Sequence, residues 1–232
     1  MRELSKAVIR WQHDARFATR YFVGEGIDIG CGTDLLDTYK DLFPRMTGCH
    51  PWDVIWGDGD AGLMEGVKDE AYDFVVSSHC LEHVTSPLEA LKNWVRIVKP
   101  GGHVVIIVPD EDLYEQGVFP STNNSDHKFT FTLHKATRSW SSHSRNLLPM
   151  LMQLEDAELL KAEKLDGTHR YSQPRWDQTL SIGSSAIEII LRKRTKDEMD
   201  SGGRLPAPGY LTPTGFHLLT GIGAMPKIEE GA

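Results

Sequence analysis

The chain has 232 residues, 40% hydrophobic and 25% charged, with a formal net charge of -8. That is enough apolar material for one α/β domain with additions, and too mixed a pattern for a disordered segment. The acid excess argues against a nucleic-acid partner, which would meet a basic face, and the longest apolar run, Val104–Val108, falls far short of the roughly 18 residues a bilayer span needs.

The opening MRELSKAVIRWQHD is charged and has no apolar signal core, so the cytoplasm is the expected compartment. Leu4, Val8, Trp11, Ala15, Ala18 and Phe22 recur at three- and four-residue steps and predict an amphipathic helix, stopped by Gly24 and Gly26. Ile27–Ile29 is a short strand that runs into the turn Gly30-Cys31-Gly32. Leu35, Leu36, Tyr39 and Leu42 predict a helix closed by Pro44. Strands are expected at 46–49, 54–56 and 72–77. Ser86 and Glu89 stand at capping-box spacing with Pro87 between them, and so predict a helix start. Leu88, Leu91, Trp94, Val95 and Val98 give that helix its apolar face, and Pro100-Gly101-Gly102 ends it. Val104–Val108 is β-branched throughout and reads as a strand buried on both sides.

Strand–helix alternation predicts a mostly parallel sheet with helices on both faces. Residues 110–143 break the rhythm and read as an inserted acceptor loop or cap. A helix near 144–155, a strand near 158–165 and a final strand at 185–193 resume it. The domain is therefore placed at 1–195, with a Gly/Pro-rich tail or flap at 196–232. The run Arg192, Lys193, Arg194 and Lys196 is read as a solvated strand end. Cys31, Cys49 and Cys80 are odd in number and form no CxxC pair. This points to a reducing compartment and away from a disulfide scaffold or structural zinc.

In an open parallel sheet the ligand sits at the carboxyl ends of the central strands, so IDIGCGTD (27–34) is the expected cofactor turn. A dinucleotide fingerprint would need a third glycine where Leu35 stands, and Asp34 would repel a phosphate. A ligand without phosphoryl groups fits better, with Asp28 facing an ammonium.

IDIGCG (27–32), GDGDAGLM (57–64), YDFVVSSHCLEHV (72–84) and LKNWVRIVKPGGHVVIIVP (91–109) recur in an order that resembles the class I S-adenosylmethionine (SAM) dependent methyltransferases. The nearest likeness is to the small-molecule enzymes with an L-E-H motif. The resemblance covers roughly residues 20–110. It implies a Rossmann-like, seven-stranded, mostly parallel sheet with helices on both faces and an antiparallel last strand. It places SAM against Asp28, Gly30, Cys31, Gly32, Asp60, Ala61, Ser77 and His79, with Asp60 on the adenine amino group. The chain departs from the family at the ribose clamp, where His50, Trp52 and Asp53 are all candidates.

Methyl transfer needs nucleophile, methyl carbon and sulfur in line, an alignment worth about 7–11 kcal/mol. A hydroxyl acceptor also needs a base, and histidine suits the task. His79, His83 and His127 are the candidates. Asp110, Glu111 and Asp112 could offer oxygens to magnesium, but such runs are ordinarily solvated loops, and no metal site is expected. Trp140, Trp176, Tyr171, Asn123, Asn124 and Ser125 suit a glycan or a small hydroxylated acceptor. N- or C-methylation without a base, and a non-catalytic SAM-binding protein, are the alternatives. Tyr210, Leu211, Phe216, Leu218 and Leu219 in the tail could close over the site or pack on a second copy as a homodimer.

Overall fold

The computed structural model describes residues 3–172 and 184–204. The chain divides into two units, Met1–Thr195 and Lys196–Ala232.

Helix α1 (Glu3–Trp11) buries Leu4, Ala7, Val8 and Trp11 along one face, as the spacing requires. It stops at Trp11 instead of running on to Phe22. His13 and Asp14 turn the chain, Ala15 is exposed, and one wide turn, Phe17–Tyr21, carries the remaining aromatics inward. Trp11 and Phe17 stack with ring centroids 4.9 Å apart.

Strand β1 (Gly24–Ile29) leads into the glycine turn. The helix expected after it is a tight 3-10 segment, Leu36–Leu42, interrupted at Tyr39. Side chains explain the change. Asp28 draws the Leu36 N–H and Asp37 accepts from the Cys49 N–H, tying the segment to β1 and to β2 (Met46–Trp52). Val54–Trp56, expected as a strand, is a single 3-10 turn between the Asp53 cap and the left-handed Gly57. Its side chains are 70%, 58% and 53% exposed, because no neighbouring strand covers them.

Strand β3 (Tyr72–Ser78) is followed by helix α2 (Pro87–Arg96). Pro87 opens the helix, but the Ser86 side chain makes no cap and Glu89 pairs with Lys92 instead, so the capping box does not form. Strand β4 (Val98–Pro109) completes the central sheet. The region after it is more than a loop. A wide turn at Glu111–Glu115 and the short strand β5 (Thr130–Thr132) lie within it, and β5 pairs in parallel with β6 (Ser144–Asn146). Helix α3 (Leu147–Leu151) is shorter than the span expected. Strands β7 (Ala157–Leu165) and β8 (Ala186–Lys193) follow.

The main sheet has the order β2-β1-β3-β4-β8-β7. The first four strands are parallel, and β8 runs antiparallel to both β4 and β7. Six strands therefore stand where seven were expected, and Val54–Trp56 accounts for the difference. Alternation along β3 and β4 feeds two cores. Val75, Val104 and Ile106 pack with Leu91 and Trp94 of α2, while Phe74, Val76, Val105 and Ile107 pack with α1 and the aromatics behind it. Each fully buried aliphatic contributes roughly 1.5–3 kcal/mol.

The second unit is described over 196–204, where α4 (Lys196–Asp200) carries a Lys196–Asp200 ion pair of 2.7 Å. Trp176 and the apolar tail residues Tyr210, Leu211, Phe216, Leu218 and Leu219 lie outside the described residues.

Candidate functional site

Beyond Ile29 the chain turns at Gly30-Cys31-Gly32, at the carboxyl end of β1. Gly30 and Gly32 hold φ of +71° and +52°, where a side chain is strained. A Cβ on Gly30 would also lie 2.4 Å from Cys80 Cβ and Sγ. Three carboxylates brace this turn. Asp28 is buried and accepts from the Leu36 N–H at 2.9 Å. Asp53 Oδ2 accepts from the Gly32 N–H at 2.9 Å. Asp34 accepts from Ser5 N–H at 2.9 Å and Ser5 Oγ–H at 2.6 Å, tying α1 to the turn. Burial pushes the Asp28 carboxyl up to about 7; the Leu36 N–H opposes this, and the Asp34 and Asp53 carboxylates add to it.

The opposite wall starts where β3 ends. His79 adopts φ +55°, uncommon for a residue with a side chain. Its N–H donates to the Ile107 carbonyl at 2.8 Å, which fixes the exit from the strand. One turn later Glu82 is fully buried, and neither of its carboxylate oxygens has a hydrogen-bond partner among the described residues. Three imidazoles face the same oxygen, Glu82 Oε1: His79 Nδ1 at 3.5 Å, His127 Nε2 at 3.9 Å and His83 Nε2 at 4.0 Å. His127 comes from the insert, which the Lys128 N–H fastens to the Glu82 carbonyl at 2.8 Å. On its outer side His127 Nδ1 lies 2.6 Å from Glu115 Oε1, and His83 Nδ1 lies 3.0 Å from Asp126 Oδ2. The Tyr114 ring stacks on His127.

Burial, followed by the neighbouring His127, pushes His79 down to about 3. His83 is lowered from the same two causes. Burial, with the Glu115 and Glu3 carboxylates adding to it, pushes Glu82 well above the ordinary carboxyl value. At neutral pH His79 is therefore a neutral imidazole and a weak base.

The two walls enclose one cleft of about 450 Å³, a size that holds a cofactor-sized ligand. Asp28, Gly30, Cys31 and Gly32 line one side; His79, Glu82, His83 and His127 line the other. Glu3 and Leu4 of α1, Ile55, Tyr114, Asn123 and Asn124 complete the rim.

The other sequence candidates lie elsewhere. His50 is exposed, pairs in register with Ile27, and turns its ring towards Tyr72. Trp52 is half-buried, with no partner for its indole N–H among the described residues. Of the three ribose-clamp candidates, only Asp53 reaches the glycine turn with its side chain; the Trp52 carbonyl accepts from the Gly30 N–H at 2.8 Å, and none of the three lines the cleft. Asp60 is spent on capping, accepting from the Gly62 and Leu63 N–H groups, and the Ala61 carbonyl accepts from Trp94 Nε1. Neither lines the cleft. Ser77 is also away from it: its hydroxyl donates to the Ile29 carbonyl at 2.9 Å and locks β3 to β1. Its neighbour Ser78 lines the cleft.

The acidic run after β4 is structural. Asp110 caps Asp112 and Leu113 and pairs with Lys164 at 3.1 Å. Glu111 takes Thr130, Lys135 and Ser139, and Asp112 takes Lys135 and Trp140. Reading the sequence missed Glu82 and Glu115. The L-E-H tripeptide was a usable signal for the first; nothing local marked the second.

The chain matches the family model described as "Methyltransferase domain" over residues 10–162. No curated relative matches it. Among solved structures, a SAM-dependent methyltransferase from Archaeoglobus fulgidus is similar at 19% identity and a TM-score of 0.51, covering 83% of this chain and 95% of that one. A provisionally named SAM-dependent methyltransferase from Listeria monocytogenes is similar at 13% and 0.51, over 82% and 100%. A chain from the Haloferax volcanii complex of the Trm112 methyltransferase activator with a provisionally named methyltransferase is similar at 14% and 0.52, over 84% and 100%. At these identities the likeness is one of fold.

Proposed function

We propose that this member of the methyltransferase-domain family is a SAM-dependent enzyme that methylates a hydroxyl oxygen of a saccharide or another small hydroxylated molecule. One observation carries this reading: the glycine turn and the His79–Glu82–His83–His127 cluster face each other across a single cleft. A sulfonium nucleoside against Gly30–Gly32, its ammonium towards Asp28, would turn its methyl group to the histidines. Asp53, at the end of β2 and on the Gly32 N–H, is the residue best placed to reach a ribose.

The acceptor oxygen attacks the methyl carbon, the carbon–sulfur bond breaks, and the sulfur leaves as the neutral thioether of S-adenosylhomocysteine. The hydroxyl becomes strongly acidic as the oxygen takes the methyl, so even the weakly basic His79 ring can take its proton. Asn123 and Asn124 on the rim are suited to hold the acceptor's other hydroxyls. The cytoplasm is the proposed setting. The three cysteines are free thiols, and among the described residues no helix is long and apolar enough to cross a membrane.

The test is to incubate the protein with SAM and matched panels of sugars, phenols and primary amines, following S-adenosylhomocysteine and locating the methyl group by NMR. Methyl ethers are the expected products. Methylated amines in the absence of any methyl ether would overturn the reading.

A further inference from the structure

We propose that Glu82, His83 and His127 hold a divalent transition-metal ion at the floor of the cleft. One ligand atom from each residue lies within 4.8 Å of the others. Four ligands at about 2.1 Å around a tetrahedral zinc stand about 3.4 Å apart, so closure needs side-chain shifts of up to roughly 0.7 Å each.

Hydrogen bonding gives an independent argument. The outer nitrogen of each imidazole faces a carboxylate, Glu115 for His127 and Asp126 for His83. With the proton of each ring on Nδ1, donated to that carboxylate, each Nε2 would be left to ligate on the inner side. Asn124 Nδ2, 3.5 Å from His83 Nε2, agrees with that tautomer. Both Nε2 atoms stand about 4 Å from an oxygen of a fully buried carboxylate that has no hydrogen-bond partner among the described residues. A metal ion among them would give this buried carboxylate the partner that it lacks among the described residues. Carboxylate–histidine pairs behind the ligand nitrogens are the usual outer support of metal-binding imidazoles. Two imidazoles and one carboxylate suit zinc, iron, manganese or cobalt better than magnesium or calcium.

The remaining coordination position would open towards His79, whose Nδ1 is 3.5 Å from Glu82 Oε1. Within the methyl-transfer reading, an acceptor hydroxyl bound there would be more acidic and already placed beside the base. That role rests on the reading above; the metal site itself does not.

The experiment uses the full chain, freed of metal by chelator dialysis, with Co(II) as probe and no SAM present. Expected are one ion per chain, visible absorption of a low-coordinate Co(II) centre, and two shifted, exchangeable imidazole N–H resonances. Glu82→Gln and His127→Ala should each lower the affinity at least 100-fold, and Glu115→Gln by about 10–100-fold. His143→Ala, whose ring stacks on Phe119 away from the cleft, should leave it unchanged. Absence of stoichiometric binding, thiolate charge-transfer bands, or equal affinity in a folded Glu82→Gln protein would overturn the proposal. If the variants do not fold, the wild-type resonances decide, and their absence counts against it. Metal binding without hydroxyl methylation would leave the site standing and remove the substrate reading.

Discussion

On the glycine-turn side of the cleft, Asp28, Asp34 and Asp53 each accept a hydrogen bond from a main-chain N–H. On the histidine side, Glu82 is as deeply buried as Asp28 and accepts none among the described residues. The first wall is complete as folded and needs a ligand only to fill it. The second gathers three imidazoles around a buried carboxylate that has no hydrogen-bond partner among the described residues, an arrangement costly unless something binds. On the proposed function, one wall holds the cofactor and the other does the chemistry, and substitutions on each should separate the two.

The largest effect is expected at Gly30. Gly30→Val adds side-chain atoms where Cys80 already stands 2.4 Å from a Cβ, in a left-handed conformation. It should cost about 3–5 kcal/mol of stability and abolish S-adenosylhomocysteine binding by calorimetry. Gly32→Ala, with nothing within 4 Å of its Cβ, carries the backbone strain alone, about 1–2 kcal/mol. Equal costs at the two glycines would break the account of this wall. On the other wall, His79→Ala should lower kcat about 10²–10⁴-fold. Its S-adenosylhomocysteine affinity should move by no more than about threefold if binding and chemistry are separate. A parallel loss of affinity would erase the distinction.

Asp28 sharpens the comparison through pH. Its folded value of about 7 lies above the ordinary 3.8, so its contribution to stability is fully present below pH 4 and is lost as pH rises through 7. Asp28→Asn keeps an oxygen for the Leu36 N–H and removes the charge. The variant should gain on the wild type by a few kcal/mol at most at pH 8, and by nothing near pH 4, in denaturant unfolding without cofactor. The same change should weaken SAM binding at pH 8, where the ammonium needs the anion. The smallest effect belongs to Ser5→Ala. It removes the 2.6 Å bond to Asp34 and should cost about 0.5–1 kcal/mol in thermal unfolding, with little change in kcat.

Much of the first wall was legible in the sequence because it is local. An apolar strand, two glycines at 30 and 32 and an acid at 28 lie within five residues, and their geometry follows from φ and strand polarity. The mostly parallel sheet was legible from strand–helix alternation and from runs such as Val104–Val108, whereas its strand order was not. Val54–Trp56 misled because three apolar residues signal burial only when a partner strand covers them. The second wall is assembled across distance. Glu82 is stranded because an insert some 45 residues on closes over it with His127. Glu115 looked like one more acid beside Asp110–Asp112, yet those three are neutralised by Lys164 and Lys135 while Glu115 turns to a histidine. Which acids have partners depends on tertiary pairing, and composition does not record it.

The central claim is that one nucleoside spans both walls. A crystal structure of the protein with S-adenosylhomocysteine tests it most directly. The account predicts the amino-acid head against Gly30–Gly32 and Asp28, with the sulfur facing His79 across the open cleft. Density for the ligand outside this cleft, or seated with its sulfur turned away from the histidines, would contradict it.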